Sequence, residues 1–201
     1  MDNFSRRRLL GFGMVAIAAM VAAPGLAVAA GLTSLVDRGR AALDRHGSSL
    51  SHRDRIGIVD FASASNVPRL VIVDLANGRA ESFLVAHGRG SDPAHTGWVS
   101  RLSNDPGSHA SSGGAFVTGD YYVGGHGRSM RLNGLEPINS NAAARAIVVH
   151  AAWYVSPAIA RATGKLGRSE GCFAVAPSDL DLVLERLGPG RLLYADGPPR
   201  A

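Results

Sequence analysis

Leu70-Val71-Ile72-Val73-Asp74-Leu75-Ala76-Asn77-Gly78-Arg79-Ala80-Glu81-Ser82-Phe83-Leu84-Val85 is the stretch on which the fold turns. Two apolar runs, the first made of Leu, Val and Ile, flank Asn77-Gly78, and an Asn-Gly pair accepts the positive φ angles of a tight reversal. Between Arg69 and His87 the sequence therefore predicts a β-hairpin.

Working outward, Ile56 to Phe61 is a further short run rich in β-branched residues, and Thr33 to His46 carries Leu, Val and Ala at helical spacing. The polar residues from Gly47 to Asp54 read as a turn between them. On the other side, Gly88 to Gly114 is dominated by Gly, Ser, Asn, Asp and Pro, which predicts a long surface loop. Loops of that length inside a domain are commonly functional.

Short strands are expected at Ala115 to Thr118, Tyr121 to Val123, Ala146 to His150 and Cys172 to Val175. Pro177 opens a helix through Leu187, with Ser178 and Asp179 in its first turn facing the free amides, and Gly188-Pro189 stops it. Arg191 to Tyr194 reads as a last strand. Many short strands with two helices make this a β-rich α+β chain.

The N-terminal residues have a different character. Ser5-Arg6-Arg7-Arg8-Leu9-Leu10 precedes an Ala- and Val-rich stretch, then Pro24-Gly25 and Ala27-Val28-Ala29. This is the order of a twin-arginine signal peptide over residues 1–29, with cleavage expected after Ala29. An uncleaved anchor over Leu9 to Ala30 is the alternative, and both place the body outside the cytoplasmic membrane, in the periplasm or cell envelope. With cleavage, no stable membrane span remains. The expected organisation is a leader at 1–29, an N-terminal helix and linker at 30–54, and a single catalytic unit at 55–201.

Of 201 residues 46% are apolar and 18% charged, enough to fill a core and too few charges for disorder. The formal net charge is +5, but Arg6, Arg7 and Arg8 belong to the leader, and the mildly basic body carries no address by itself. No phosphate-binding glycine loop or nucleic-acid motif is present. There is one cysteine, so Cys172 has no internal disulfide partner in a compartment that makes disulfides. It is a buried thiol, an intermolecular link or a nucleophile.

Its surroundings favour the last. Ala146-Ile147-Val148-Val149 delivers His150 at a strand end, and Gly167-Arg168-Ser169-Glu170-Gly171 delivers Cys172 directly before Phe173-Ala174-Val175. Gly171 lets the backbone approach closely and leaves amides to hold an oxyanion. A thiol of ordinary pKa, about 8.5, needs an imidazole beside it to act near neutrality, and His150 is the nearest upstream candidate.

Gly167 to Gly171 also fits GxSxG, but in α/β-hydrolases the histidine follows the serine, whereas all 7 histidines here precede residue 151. The papain order, cysteine first, fails as well. There is no His-Glu-x-x-His, and His87, His95 and His109 are scattered, so neither a metal nor any other cofactor is expected.

Gly124-Gly125-His126-Gly127-Arg128-Ser129-Met130-Arg131-Leu132-Asn133-Gly134-Leu135-Glu136, with Arg145 to His150 and Gly167 to Cys172, resembles the murein L,D-transpeptidase catalytic domain of the YkuD type, in its second, divergent branch. The likeness spans about Ile56 to Tyr194. It implies an L,D-transpeptidase-like mixed β-sandwich with an N-terminal helix and a helix after the cysteine strand, acting without a cofactor. It further implies peptidoglycan stem peptides as partners, Cys172 as the nucleophile that forms a thioester, and His150 as base then acid, oriented by a backbone carbonyl. A side-chain amine of a neighbouring stem would take the acyl group, giving a 3-3 cross-link.

Glu170 stands where most of the wider family has histidine, and Ala151 where glycine often follows the first histidine. The substrate subsite, and the choice between transfer and hydrolysis by an L,D-carboxypeptidase or cross-link hydrolase, therefore stay open, as does a non-catalytic peptidoglycan-binding role. Ser169, His126, Arg131 and Glu170 are the candidate substrate contacts. Each has an alternative: a brace for the turn, a loop cap, a surface ion pair, or a substituted subsite.

Overall fold

The computed structural model describes residues 24–197. The leader expected at 1–29 lies outside the described residues as far as residue 23, and no helix among them is long and apolar enough to cross a membrane. Helix α1 (Pro24–Arg45) begins within that stretch and continues through the segment expected to be helical.

Strand β1 (Arg55–Asp60) is followed by the hairpin of β2 (Leu70–Asp74) and β3 (Ala80–Phe83). The hairpin has Leu70 opposite Phe83 and Val73 opposite Ala80, and Gly78 takes a φ of 72° at the reversal. Leu84-Val85, expected to continue the second arm, instead leave it: Val85–Ala86 is a separate strand, β4. Beyond the long loop come β5 (Gly114–Gly124), β6 (Gly127–Gly134), β7 (Val148–Ala151), helix α2 (Pro157–Thr163), β8 (Phe173–Val175), helix α3 (Leu180–Leu187) and β9 (Leu192–Asp196).

Among the described residues these strands make one nine-stranded sheet in the order β3-β2-β1-β9-β5-β6-β7-β8-β4. The pairs β1·β9 and β7·β8 are parallel and the others antiparallel. The order has a geometric consequence. β3 and β4 are opposite edges of the sheet, yet only Leu84 separates them in the chain, a reach of about 7 Å. The sheet must roll until its edges nearly meet, so the two layers of the sandwich belong to one hydrogen-bonded ladder. Phe61, just after β1, stacks on Phe173 of β8 with ring centroids 5.8 Å apart across the interior, and Phe116 of β5 meets the same ring edge-on.

Interior and exterior explain the apolar runs. Val59, Ile72, Met130, Leu132, Val149, Phe173 and Val175 face the rolled interior, where α3 inserts Val183, Leu184 and Leu187. Ile56, Ile58, Val71, Val73 and Leu192 face outward and are covered by Leu35, Ala42 and Leu43 of α1. β1 is buried on both faces, which is why it reads as an unbroken apolar run. Each leucine so covered contributes about 1.5–3 kcal/mol.

Three local expectations change. The strands expected at 115–118 and 121–123 are one strand, β5, with a bulge between Thr118 and Tyr121. β6 and α2 were not foreseen, and the helix after the cysteine strand starts at Leu180, three residues beyond Pro177. Residues 88–114 are not a simple surface loop. Ser91, Asp92, Ala110, Ser111 and Ser112 are buried, because Asp92 accepts from the Thr96 and Gly97 amides and Ser111 Oγ bridges the Gly88 amide and the Gly171 carbonyl.

The seam of the roll is closed by a buried ion. Arg69, 1% exposed, donates from Nε to the Val85 carbonyl, from Nη1 to the Ser63 carbonyl and from Nη2 to His87 Nδ1 at 2.7 Å. With Nδ1 accepting, the proton of neutral His87 sits on Nε2, which is 3.4 Å from Asp92 Oδ2 and makes no hydrogen bond. Burial, then the Arg69 charge, push the His87 pKa down from 6.5 to about 4. Its folded value lies below its unfolded one, so the imidazole adds stability above pH 6.5 that is lost as pH falls towards about 4. That window is worth roughly 3 kcal/mol at 1.36 kcal/mol per unit. Chemical denaturation at a series of pH values should show this loss, and His87→Asn, which keeps an acceptor for Arg69, should flatten the curve over the same window.

Candidate active site

β7 and β8 run side by side in parallel, with Val149 opposite Phe173 and His150 opposite Ala174. Ile147, Val149, Phe173 and Val175 face the rolled interior. By the alternation of a strand, Val148, His150, Cys172 and Ala174 occupy the other face. Cys172 thus lies one diagonal step from His150 on the same face of the sheet. Twenty-two positions of sequence become one step of a sheet.

The sulfur is half-buried, with Sγ 3.5 Å from the Ala146 carbonyl and a further hydrogen bond from the Val148 backbone. Burial raises the Cys172 pKa most, Glu170 adds to it, and the Val148 backbone and Arg145 oppose it; the net direction is upward. His150 is buried, and its Nδ1 donates to the Ala151 carbonyl at 2.8 Å, leaving Nε2 with the lone pair. Burial lowers its pKa most and His126 adds to the lowering, against the Ala151 carbonyl. Both shifts favour neutral forms, so the resting pair is a thiol and an imidazole rather than an ion pair.

His126 occupies the two-residue turn between β5 and β6, and its ring stacks on His150 at 4.2 Å with an interplanar angle of 18°. It is exposed, so it roofs the His150 ring from the solvent side. Gly171 has a φ of 124°, and a methyl group there would come within 2.9 Å of the Ala110 carbonyl, so only glycine fits. Its amide is not free as expected. It donates to Ser169 Oγ at 3.2 Å, and the same hydroxyl donates to the Cys172 carbonyl at 2.7 Å. Ser169, 5% exposed, therefore braces the turn and does not present itself to a substrate.

Arg131 is not brought to the sulfur. It pairs with Val148 two strands from Cys172, and its guanidinium lies over the Tyr122 ring at 4.3 Å. Glu170 is exposed at the mouth, where Arg89 Nε reaches its two oxygens at 2.8 Å and 2.9 Å and His109 Nδ1 approaches one of them at 2.5 Å.

Two further groups had no assigned role in the sequence. Arg145, directly before β7, donates to the Ser103 and Ala110 carbonyls and to the Ser108 and Ser112 hydroxyls, tying the 88–114 loop to the site. Among the described residues no carboxylate forms an ion pair with it, although the Asp105 charge acts on it from a distance, and its own charge acts on Cys172. Tyr154 packs against Gly167, and burial with the Cys172 and Glu170 charges pushes its pKa up to about 12. An arginine among small residues and a tyrosine after an apolar strand carry no spacing signal. Among the described residues no group of three or more His, Cys, Asp or Glu side chains is arranged to hold a metal ion.

A family model described as the L,D-transpeptidase catalytic domain matches residues 33–195. Solved structures also resemble the chain. L,D-transpeptidase 3 from Mycobacterium tuberculosis is 11% identical with a TM-score of 0.45, over 71% of this chain and 61% of that one. An L,D-transpeptidase from Stackebrandtia nassauensis is 15% identical with a TM-score of 0.41, over 75% and 59%. A helical cell shape determining protein from Campylobacter jejuni is 12% identical with a TM-score of 0.47, over 79% and 54%. The chain spans about three-fifths of the length of the first solved structures it resembles. No curated protein matches it.

The neutral resting pair has a chemical signature. The rate of Cys172 alkylation by iodoacetamide, followed by intact mass, should keep climbing with pH beyond the ordinary cysteine value of about 8.5. A plateau already reached below pH 7 would mean a preformed thiolate and imidazolium.

Proposed function

The chain belongs to the L,D-transpeptidase catalytic-domain family, and we propose that it acylates Cys172 with a peptidoglycan stem peptide and passes the acyl group to an amine. The observation that carries this reading is the parallel β7·β8 register, which puts a half-buried thiol and an imidazole with a free Nε2 on one face.

The chemistry follows from the protonation states. His150 Nε2 takes the Sγ proton as the sulfur attacks the carbonyl of the stem peptide's third residue, because neither group holds its charge well before attack. The developing oxyanion falls to the Cys172 amide, since the Gly171 amide is bound to Ser169. Collapse of the adduct breaks the C–N bond, the imidazolium returns its proton to the departing D-amino acid nitrogen, and a thioester remains. The His126 ring keeps bulk water from one face of His150 throughout. An amine from a neighbouring stem then displaces the sulfur and completes a 3-3 cross-link. Such a substrate places the working protein outside the cytoplasmic membrane, in agreement with the leader pattern of its first 29 residues.

Incubation with tetrapeptide muropeptides, read by mass spectrometry, should give cross-linked dimers with loss of the terminal D-residue. Tripeptides alone would mean that water resolves the thioester. Cys172→Ala should abolish both products, and His150→Gln should slow acylation by about 10²–10⁴-fold. Unchanged products with Cys172→Ala would end the proposal. In wild type the acid limb of the acylation rate should lie below pH 6.5, since the base works unprotonated and its pKa is lowered. A rate already halved above pH 6.5 would assign that limb to another group.

A further inference from the structure

The transfer half-reaction has a proton problem that one histidine does not solve. An alkyl amine with a pKa near 10 is an ammonium at neutral pH. When it becomes an amide nitrogen in exchange for a thioester, it gives up two protons. One is needed by the departing sulfur, and His150 can relay it. The other must go to a second base. The acylation half-reaction has no such surplus, because the proton leaving sulfur is the one the departing amine receives.

Beside the turn that leads into Cys172, the structure holds a second imidazole, His109, set against a carboxylate. His109 Nδ1 lies 2.5 Å from Glu170 Oε2, and because a carboxylate only accepts, a neutral His109 ring carries its proton on Nδ1 and keeps the lone pair on Nε2. Glu170 is itself clamped by Arg89 and lies two residues before Cys172. The backbone approach is close: a methyl group on Gly88 would overlap the His109 carbonyl and meet Gly171 Cα at 2.7 Å, and one on Gly171 would meet the Ala110 carbonyl at 2.9 Å. The His109 side chain is 43% exposed and that of Glu170 63%, so the pair opens to solvent.

His109 also sits in the left-handed backbone region, at a φ of 54°, which is unfavourable for a residue with a Cβ. Surrounding bonds impose it: its carbonyl accepts from the Gly90 amide, and Arg145 grips Ser108 and Ala110 on either side. The charged groups on the elements packed around His109 are Glu170, Arg89 and Arg145. Two of them are cations, leaving Glu170 to balance the imidazolium that forms when His109 takes a proton.

We infer that His109, held by Glu170, is the general base of the second half-reaction, deprotonating the acceptor amine as it attacks the thioester on Cys172. Nε2 of His109 receives one ammonium proton, the amine nitrogen bonds to the carbonyl carbon, the C–S bond breaks, and the sulfur leaves with the proton relayed by His150. Glu170, where most of the wider family has histidine, thereby becomes a positioning residue, carrying its effect through His109. This rests on the proposed acyl transfer at Cys172.

The test separates the halves. The full chain is loaded with a tetrapeptide donor, and consumption of the Cys172 thioester is followed by intact mass with two nucleophiles. One is a primary alkyl amine acceptor; the other is hydroxylamine, already unprotonated at neutral pH and needing no second base. His109→Gln should lower alkyl-amine transfer about 10²-fold relative to hydroxylamine, and raising the pH should restore transfer by supplying free amine. Glu170→Gln should shift the same ratio in the same direction. A His109→Gln protein that loses both nucleophiles equally has lost structure, and one that keeps wild-type alkyl-amine transfer has no base there; each overturns the inference. A wild-type protein that never forms the thioester removes the nucleophile assignment, and the inference with it.

Discussion

The seam between β3 and β4 is held by Arg69, and the site depends on it. A sheet whose edge strands are joined by one residue has to roll, and rolling leaves the backbone at the start of β2 facing that of β4 with no regular ladder between them. A guanidinium with donors in several directions fills that gap, reaching Val85, Ser63 and His87 together. Such an ion is expensive to bury, and its pKa falls to about 10 as a result, against the raising influence of Asp60 and Asp92. Its specificity matters more than its net stability. β4 pairs with β8, so whatever fixes β4 fixes the strand that Cys172 leads into.

The same seam accounts for the 88–114 loop. The chain leaves β4 through His87, whose carbonyl accepts from the Ser169 amide, and Arg89 donates back to the Ser169 carbonyl. Loop and cysteine turn are thus zipped together from the first residues after the seam, and Ser111 Oγ repeats the connection between Gly88 and Gly171. A segment of this composition buries its backbone only because serine and aspartate side chains supply the partners that a ladder would have supplied.

The hairpin at residues 70–83 was legible because Asn77-Gly78 is local chemistry, and the strands that carry His150 and follow Cys172 because each is an apolar run. What was not legible is non-local. β6, with Arg128, Ser129, Arg131 and Asn133, alternates too loosely to announce a strand and becomes one by pairing with β5 and β7. Ser169 was read either as a substrate contact or as a brace for its turn and Gly171 as leaving an amide for the oxyanion; one hydroxyl takes the Gly171 amide and donates to the Cys172 carbonyl. Arg131 was read as a carboxylate grip or a surface ion pair, and its cation rests on Tyr122. In each case the residue type was informative and its partner was not, since the partner comes from another strand.

Electrostatics give the site its direction. Cys172 is acted on by a cation, Arg145, which lowers its pKa, and by a carboxylate, Glu170, which raises it, and burial decides the balance in favour of the thiol. A thiol kept neutral until a base acts is protected from electrophiles other than its substrate, at the expense of needing that base in the right tautomer. The Ala151 carbonyl supplies the tautomer from within β7 itself, one residue from the ring it orients. The backbone strain beside the sulfur, at Ala146 with a φ of 53° and at His109, lies where Arg145 and the buried serines hold the chain most firmly. Rigidity bought at the seam is therefore what permits unfavourable backbone next to the nucleophile, and a looser loop would relax those two residues and move the groups they aim.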